Sequence, residues 1–232
     1  VFFVWSAKGE PFFTGGTVQF LFPKWTNRIP LAVTVITPLV LVGVIGFVWY
    51  FFSPKWTDVG YQPHQPVAFS HKQHAGQLGL DCRYCHNTVE RAAFAAVPPT
   101  QTCMGCHATV KKDSPKLAPV RESWNTGKPI PWINVHMLPE YAKFDHSAHV
   151  TQGVGCTSCH GRIDQMQVVM QKKTLSMGWC LECHRDPTPS LRPKEEITNM
   201  AYDPLVAGYD PSIDPHRTRQ VNPPQHCGAC HY

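Results

Sequence analysis

"FSHKQHAGQLGLDCRYCH", residues 69–86, places three histidines and two cysteines within eighteen positions, and "FDHSAHVTQGVGCTSCH", residues 144–160, nearly repeats it. In both copies a Phe-x-His-x-x-His phrase (Phe69, His71, His74; Phe144, His146, His149) precedes a Cys-x-x-Cys-His motif, at an offset of 75 residues. Each copy leads into two such motifs, whose first cysteines lie 21 residues apart in the first (Cys82, Cys103) and 24 in the second (Cys156, Cys180). A fifth motif begins at Cys227. The pattern is a duplicated unit of two motifs with one motif appended.

All ten cysteines fall in these motifs: Cys82 and Cys85, Cys103 and Cys106, Cys156 and Cys159, Cys180 and Cys183, Cys227 and Cys230. Each second cysteine is followed at once by histidine: His86, His107, His160, His184 and His231. This is the attachment signal for c-type haem, in which two thiols form thioethers and the adjacent histidine is the proximal iron ligand. Zinc half-sites, redox pairs or a disulfide framework also use Cys-x-x-Cys, yet none requires a histidine after every second cysteine. Five haems are expected.

Haem also answers a shortage. Seventeen of the 22 prolines lie after residue 60, where long amphipathic helices and alternating strands are hard to find. The expected fold is a loop-rich domain of short helices packed around five covalently bound haems, with few or no strands. The formal charge of +5 changes meaning as well. Ten propionates would take the holoprotein to about −5 with reduced irons and about 0 with ferric ones, so the basic balance does not point to nucleic acid.

Between Arg28 and Lys55 there is no charged residue, and Ile29 to Phe52 is apolar apart from Thr34 and Thr37. As a helix this stretch reaches roughly 35 Å, enough to cross a bilayer with some tilt. Trp25 near one end and Trp49, Tyr50 and Trp56 near the other suit the headgroup layers. Lys8, Lys24 and Arg28 ahead of the span outweigh Lys55 behind it, which places the N-terminus inside. Haem attachment of this kind occurs outside the cytoplasm, so a periplasmic domain on a single-pass inner-membrane anchor is expected. The segments are 1–28, cytoplasmic or interfacial; 29–52, transmembrane; 53–66, linker; 67–135, a module of two haems; and 136–232, a module of three. Without an initiator methionine, the sequence reads as beginning partway into a longer gene product.

A low-spin haem needs a second axial ligand. Thirteen histidines less the five proximal ones leave His64, His71, His74, His136, His146, His149, His216 and His226. In His-x-x-His on a helix, positions i and i+3 share a face, so two adjacent rings can address two different irons. Met177 and Met166 are candidate substitutes for a distal histidine, against the alternative that they fill space between macrocycles.

The Phe-x-His-x-x-His phrase ahead of Cys-x-x-Cys-His resembles class III multihaem cytochromes c. The whole chain, from the apolar span through "VHMLPEYAKFDHSAHV" and "LSMGWCLECHRDP" to the last motif, resembles the membrane-anchored pentahaem subunits of bacterial alternative complex III, which oxidises quinol. The first resemblance implies that His71 caps the haem at His86, that His146 caps the haem at His160, and that His74 and His149 reach neighbouring haems, His149 that at His231. The second makes His136 a fifth distal ligand, for the haem at His107. It implies partners as well: an iron–sulfur subunit, multispanning quinol-binding subunits, a monohaem cytochrome c and a soluble electron acceptor.

The expected role is an electron-transfer wire without a catalytic site of its own, since one transmembrane helix lacking an ionisable residue offers no proton acceptor for quinol. Two other readings stand beside it. A multihaem reductase would need an iron with an open position, whereas all five motifs end in histidine. A stand-alone quinol dehydrogenase anchored by one helix would differ in haem count and in the duplicated phrase.

Overall fold

The computed structural model describes residues 23–214 and 220–232, which leaves the expected interfacial segment up to residue 22 and His216 outside the described residues. The chain divides into two units, residues 1–50 and residues 51–232.

In the first unit a short 3-10 turn, Lys24–Arg28, runs into α1, Ile29–Phe51. The helix forms because nothing in it competes: no charge needs solvent, and Pro38 is its only interior breaker. The helical run Trp25–Phe51 is long and apolar enough to cross a membrane, with mean hydropathy 2.6 in its most apolar window.

The second unit is built of short helices joined by turns: α2 (Pro54–Thr57), α3 (Cys82–Cys85), α4 (Thr100–His107), α5 (Ala118–Thr126), α6 (His146–Thr151), α7 (Cys156–His160), α8 (Met177–Arg185) and α9 (Cys227–Cys230). Among the described residues there is no strand, only two isolated bridges, Ala142 with His231 and Val154 with Leu191. Polar caps start three of these helices. Asp81 accepts from the Arg83 amide, Asp145 from those of Ser147 and Ala148, and Ser176 from that of Trp179. Each of the five Cys-x-x-Cys segments lies in a helix of four to nine residues, and in α3 and α9 the motif histidine is the first residue past the helix.

The apolar core is small. Val67, Val120, Val150, Met166, Leu191, Ile197 and Met200 are the buried apolar side chains among the described residues. What locks the unit together is mostly backbone docking. A π-helical turn, Lys72–Gln77, carries the first histidine phrase onto the segment that follows α7: the Lys72 amide donates to the Met166 carbonyl (2.9 Å), and the Ser70 hydroxyl to Gln167 Oε1 (3.0 Å). A Cβ at Gly76 would overlap the Asp164 carbonyl oxygen, so only glycine permits that approach. The second phrase is seated reciprocally, with the His146 and Ser147 amides donating to the carbonyls of Ala93 and Ala92 behind α3. The two halves of the repeat hold each other.

Candidate functional site

The repeated phrase works the same way twice. Phe69 presents itself to both of its histidines, edge-on to His71 (4.8 Å between centroids, 86°) and stacked on His74 (4.4 Å, 20°). Phe144 does the same for His146 (4.8 Å, 86°) and His149 (4.7 Å, 28°). The phenylalanine is thus a spacer that fixes both imidazole planes. Its role was not read from the sequence, although its recurrence at both heads of the repeat was the signal.

Across from these rings stand the motif histidines. His71 faces His86 at 6.4 Å with planes 4° apart, and His146 faces His160 at 6.4 Å and 8°. His74 faces His107 at 6.2 Å, and His149 faces His184 at 6.1 Å. A metal–imidazole bond is about 2 Å and a ring nitrogen lies about 1 Å from its centroid, so two imidazoles on opposite faces of one iron have centroids about 6 Å apart. All four pairs fit a haem iron between them.

Two assignments drawn from resemblance change. His149 faces His184 rather than His231, because α6 is capped by Asp145 and the Asp145 carbonyl takes the His149 Nδ1 hydrogen bond (2.7 Å), which fixes where the ring points. The place opposite His107 is held by His74, carried there by the docked π-turn. His136 lies instead against His160, 4.5 Å away and perpendicular to it. The described ring contact of His231 is with Tyr141, at 5.9 Å. Met177 is 65% exposed at the start of α8, Met166 is buried, and His64 and His226 are exposed.

The imidazoles are set in one tautomer by carbonyl acceptors. Nδ1 of His86 donates to Ala96 (2.8 Å), of His107 to Val110 (2.9 Å), of His184 to Pro224 (2.7 Å) and of His231 to Tyr141 (3.3 Å). On the opposite side, His74 donates to Ser70 (2.8 Å) and His146 to Ala93 (2.7 Å). In each case Nε2 is left as the lone-pair nitrogen, the arrangement a metal-ligating histidine needs. His71 Nδ1, His160 Nδ1 and His136 Nε2 are buried without a hydrogen-bond partner. Burial, helped by His86 and His74, lowers His71 to about 4. His160 falls to about 3, through burial and then the nearby imidazoles of His136, His146, His86 and His71. Both are neutral at physiological pH, which is the ligating form.

The thiols locate the motifs relative to one another. Cys82 and Cys156 hydrogen-bond to each other, and that contact followed by burial pushes the Cys156 thiol up. Cys85 is raised by burial and then by Cys103, Cys82 and Cys106. Cys159 is pushed up to about 12 by burial and then by Cys183 and Cys180, while Cys180 is raised by burial and then by Cys230 and Cys183. Among the described residues no group of three or more His, Cys, Asp or Glu side chains converges as a bare metal site. Paired thiols with facing imidazoles are a haem donor set, not a zinc one.

Comparison with known proteins identifies the family. The family described as cytochrome c7 and related cytochrome c matches residues 67–122 and 142–232. The multiheme cytochrome c subunit of menaquinone reductase from Nitratidesulfovibrio vulgaris (strain Hildenborough) is 35% identical over 121 residues, covering 52% of this chain and 55% of that protein. The chain thus spans about half the length of the curated relative it matches. With all ten cysteines and both histidine phrases inside the matched segments, the chain belongs to the family of cytochrome c7 and related cytochromes c, electron-transfer proteins that carry c-type haem.

Proposed function

We propose that the chain binds five c-type haems and acts as the membrane-anchored electron-transfer subunit of a quinol-oxidising complex of the alternative complex III type. The observation that carries this reading is the set of four imidazole pairs facing each other at 6.1–6.4 Å, each with one member from a Cys-x-x-Cys-His motif. His86, His107, His160 and His184 are the proximal ligands, and His71, His74, His146 and His149 the distal ones in that order. His231 is the proximal ligand of the fifth site, and His136 stands beside the third. Bound haem supplies reversible one-electron chemistry at iron.

The chain's own contribution is to hold the imidazoles in a fixed orientation and to set the order of the sites. Thioether sulfurs do not titrate, so what persists from the thiol interactions is proximity. Cys103 lies by Cys85, Cys82 by Cys156, Cys159 by Cys180, and Cys180 by Cys230. The spatial series of motifs is therefore second, first, third, fourth, fifth. A series with two ends suits conduction between partners. α1 supplies the anchor, with the haem-bearing unit outside the cytoplasm. Quinol oxidation belongs to multispanning partners, with an iron–sulfur subunit, a monohaem cytochrome c and a soluble acceptor completing the route.

The relative's name specifies reduction of menaquinone, which favours a second reading in which electrons run toward the quinone pool. Purification of the tagged chain from its native membranes tests both. The expected outcome is an intact mass exceeding the polypeptide by five haems, co-purifying subunits, and haem reduction on adding quinol. Quinone reduction by the prereduced complex without the converse would select the second reading, and full quinol oxidation by the isolated chain would select a stand-alone dehydrogenase. His71→Ala should keep all five haems by mass and convert one low-spin iron to high spin in the EPR spectrum. An unchanged set of low-spin signals would remove His71 from the ligand list.

A further inference from the structure

The turn that leads into α7 is clasped on its outer side. The Gly155 amide donates to the Ser190 carbonyl (3.1 Å), the Arg192 amide to Gly153 (2.9 Å) and the Cys156 amide to Ile197 (3.2 Å). Within this clasp Leu191 and Arg192 are the two most deeply buried large side chains, 1% and 2% exposed. A leucine there needs no explanation. An arginine does, because taking a cation out of water is costly unless its neighbours and its purpose repay it.

The guanidinium is held in place from several sides. Nη1 donates to the carbonyls of Asn199 (3.0 Å) and Glu196 (3.4 Å), and Cζ lies 5.5 Å from the centre of the Tyr202 ring. It also lies flat on Gly155, where a Cβ would overlap it. Gly155 has an ordinary extended backbone (φ −72°, ψ 141°), so a turn does not require glycine there; the guanidinium does. The Cys156 sulfur lies within its electrostatic reach, as do Tyr202, Glu196 and Asp203. Guanidinium stays protonated throughout the physiological range.

We propose that Arg192 is a positioning residue that raises the reduction potential of the haem attached at Cys156 and Cys159, by fixing a permanent positive charge in the protein interior beside that attachment point. The inference rests on the haem reading above. Reduction adds one electron, and a buried cation nearby stabilises the added charge far more than the same cation would in water. Carbonyl bonds alone could staple the loop at residues 196–199 without any effect on potential, so potential is the quantity that separates the two roles. The site is the middle one of the spatial series, where a raised potential affects traffic in both directions.

The test is an optical redox titration of the holoprotein, with intact mass and EPR run alongside. Arg192→Gln should keep five haems and lower one reduction wave by at least tenfold in its reduction constant, about 59 mV for one electron, while Arg192→Lys restores most of it. Gly155→Ala leaves the backbone unstrained but pushes the guanidinium off Cys156, so it should lower the same wave. It serves as the second arm if Arg192→Gln fails to assemble. Five attached haems with all waves unmoved in Arg192→Gln or in Gly155→Ala would overturn the proposal, as would Arg192→Lys falling as far as Arg192→Gln. A wild-type mass short of five haems would instead count against the attachment sites themselves.

Discussion

Phe69 and Phe144 illustrate how a single side chain serves two ligands at once. Each stacks on one imidazole and meets the other edge-on, and such aromatic pairs are worth about 0.5–1.5 kcal/mol each beyond the area they bury. Phe69→Leu keeps the apolar volume but removes both ring contacts. It should leave haem attachment intact, lower the thermal midpoint by several degrees, and shift the low-spin EPR signals of the sites at His86 and His107 while sparing those at His160 and His184. Phe144→Leu should do the reverse. At this scale the sequence was most legible where chemistry is local: a thioether pair and its proximal histidine fit inside five residues and must be written together. The distal partner is set by tertiary packing across tens of residues. The supply of rings could therefore be counted, while the destinations of His149 and His136 could not.

Among the elements, two short turns carry more than their length suggests. The π-turn Lys72–Gln77 approaches residues 163–165 so closely that Gly76→Ala would drive a methyl group into the Asp164 carbonyl. Backbone yields less than a side-chain tip, so the expected cost is about 1–3 kcal/mol, read as a lower thermal midpoint together with a perturbed signal from the His74–His107 site. At α3, the cap residue Asp81 is held down to about 2, chiefly by hydrogen bonding from the Arg83 side chain, with the Thr198 hydroxyl also donating (2.8 Å). A carboxyl depressed in the folded state contributes stability above its ordinary value near 3.9 and loses it as the pH falls toward 2. Asp81→Asn should therefore melt below the wild type at pH 6, with the gap in thermal midpoint closing between pH 4 and pH 2. Asp81 as a cap was not read from the sequence, although an aspartate directly before a helix is the ordinary signal for one. The π-helical form of the preceding turn was not readable, because the docking against Asp164 imposes it and local preference does not.

On the scale of the whole molecule, the ten cysteines and both phrases lie in the unit that begins at Phe51, whereas the membrane-length helix lies, but for Phe51, in the other. A chain starting at Ser53 behind a cleavable export leader should accumulate five haems and remain in the aqueous phase on detergent partition. Loss of haem or recovery in the detergent phase would show that the anchor has a second task. The loop-rich architecture, without a strand among the described residues, was legible from proline and motif spacing, since short segments cannot enclose much apolar volume without cofactors. The reciprocal seating of the two histidine phrases was not legible, for a repeat read along the sequence suggests two beads on a string. That seating has a consequence for how the protein is made. The Lys72 amide waits for the Met166 carbonyl, and the Ser70 hydroxyl for Gln167, almost a hundred residues later in the chain. Under the proposed export, the first attachment sites would emerge well before the surface on which they will rest. On that reading haem attachment there would precede the seating, and the fold would close afterwards around cofactors already in place.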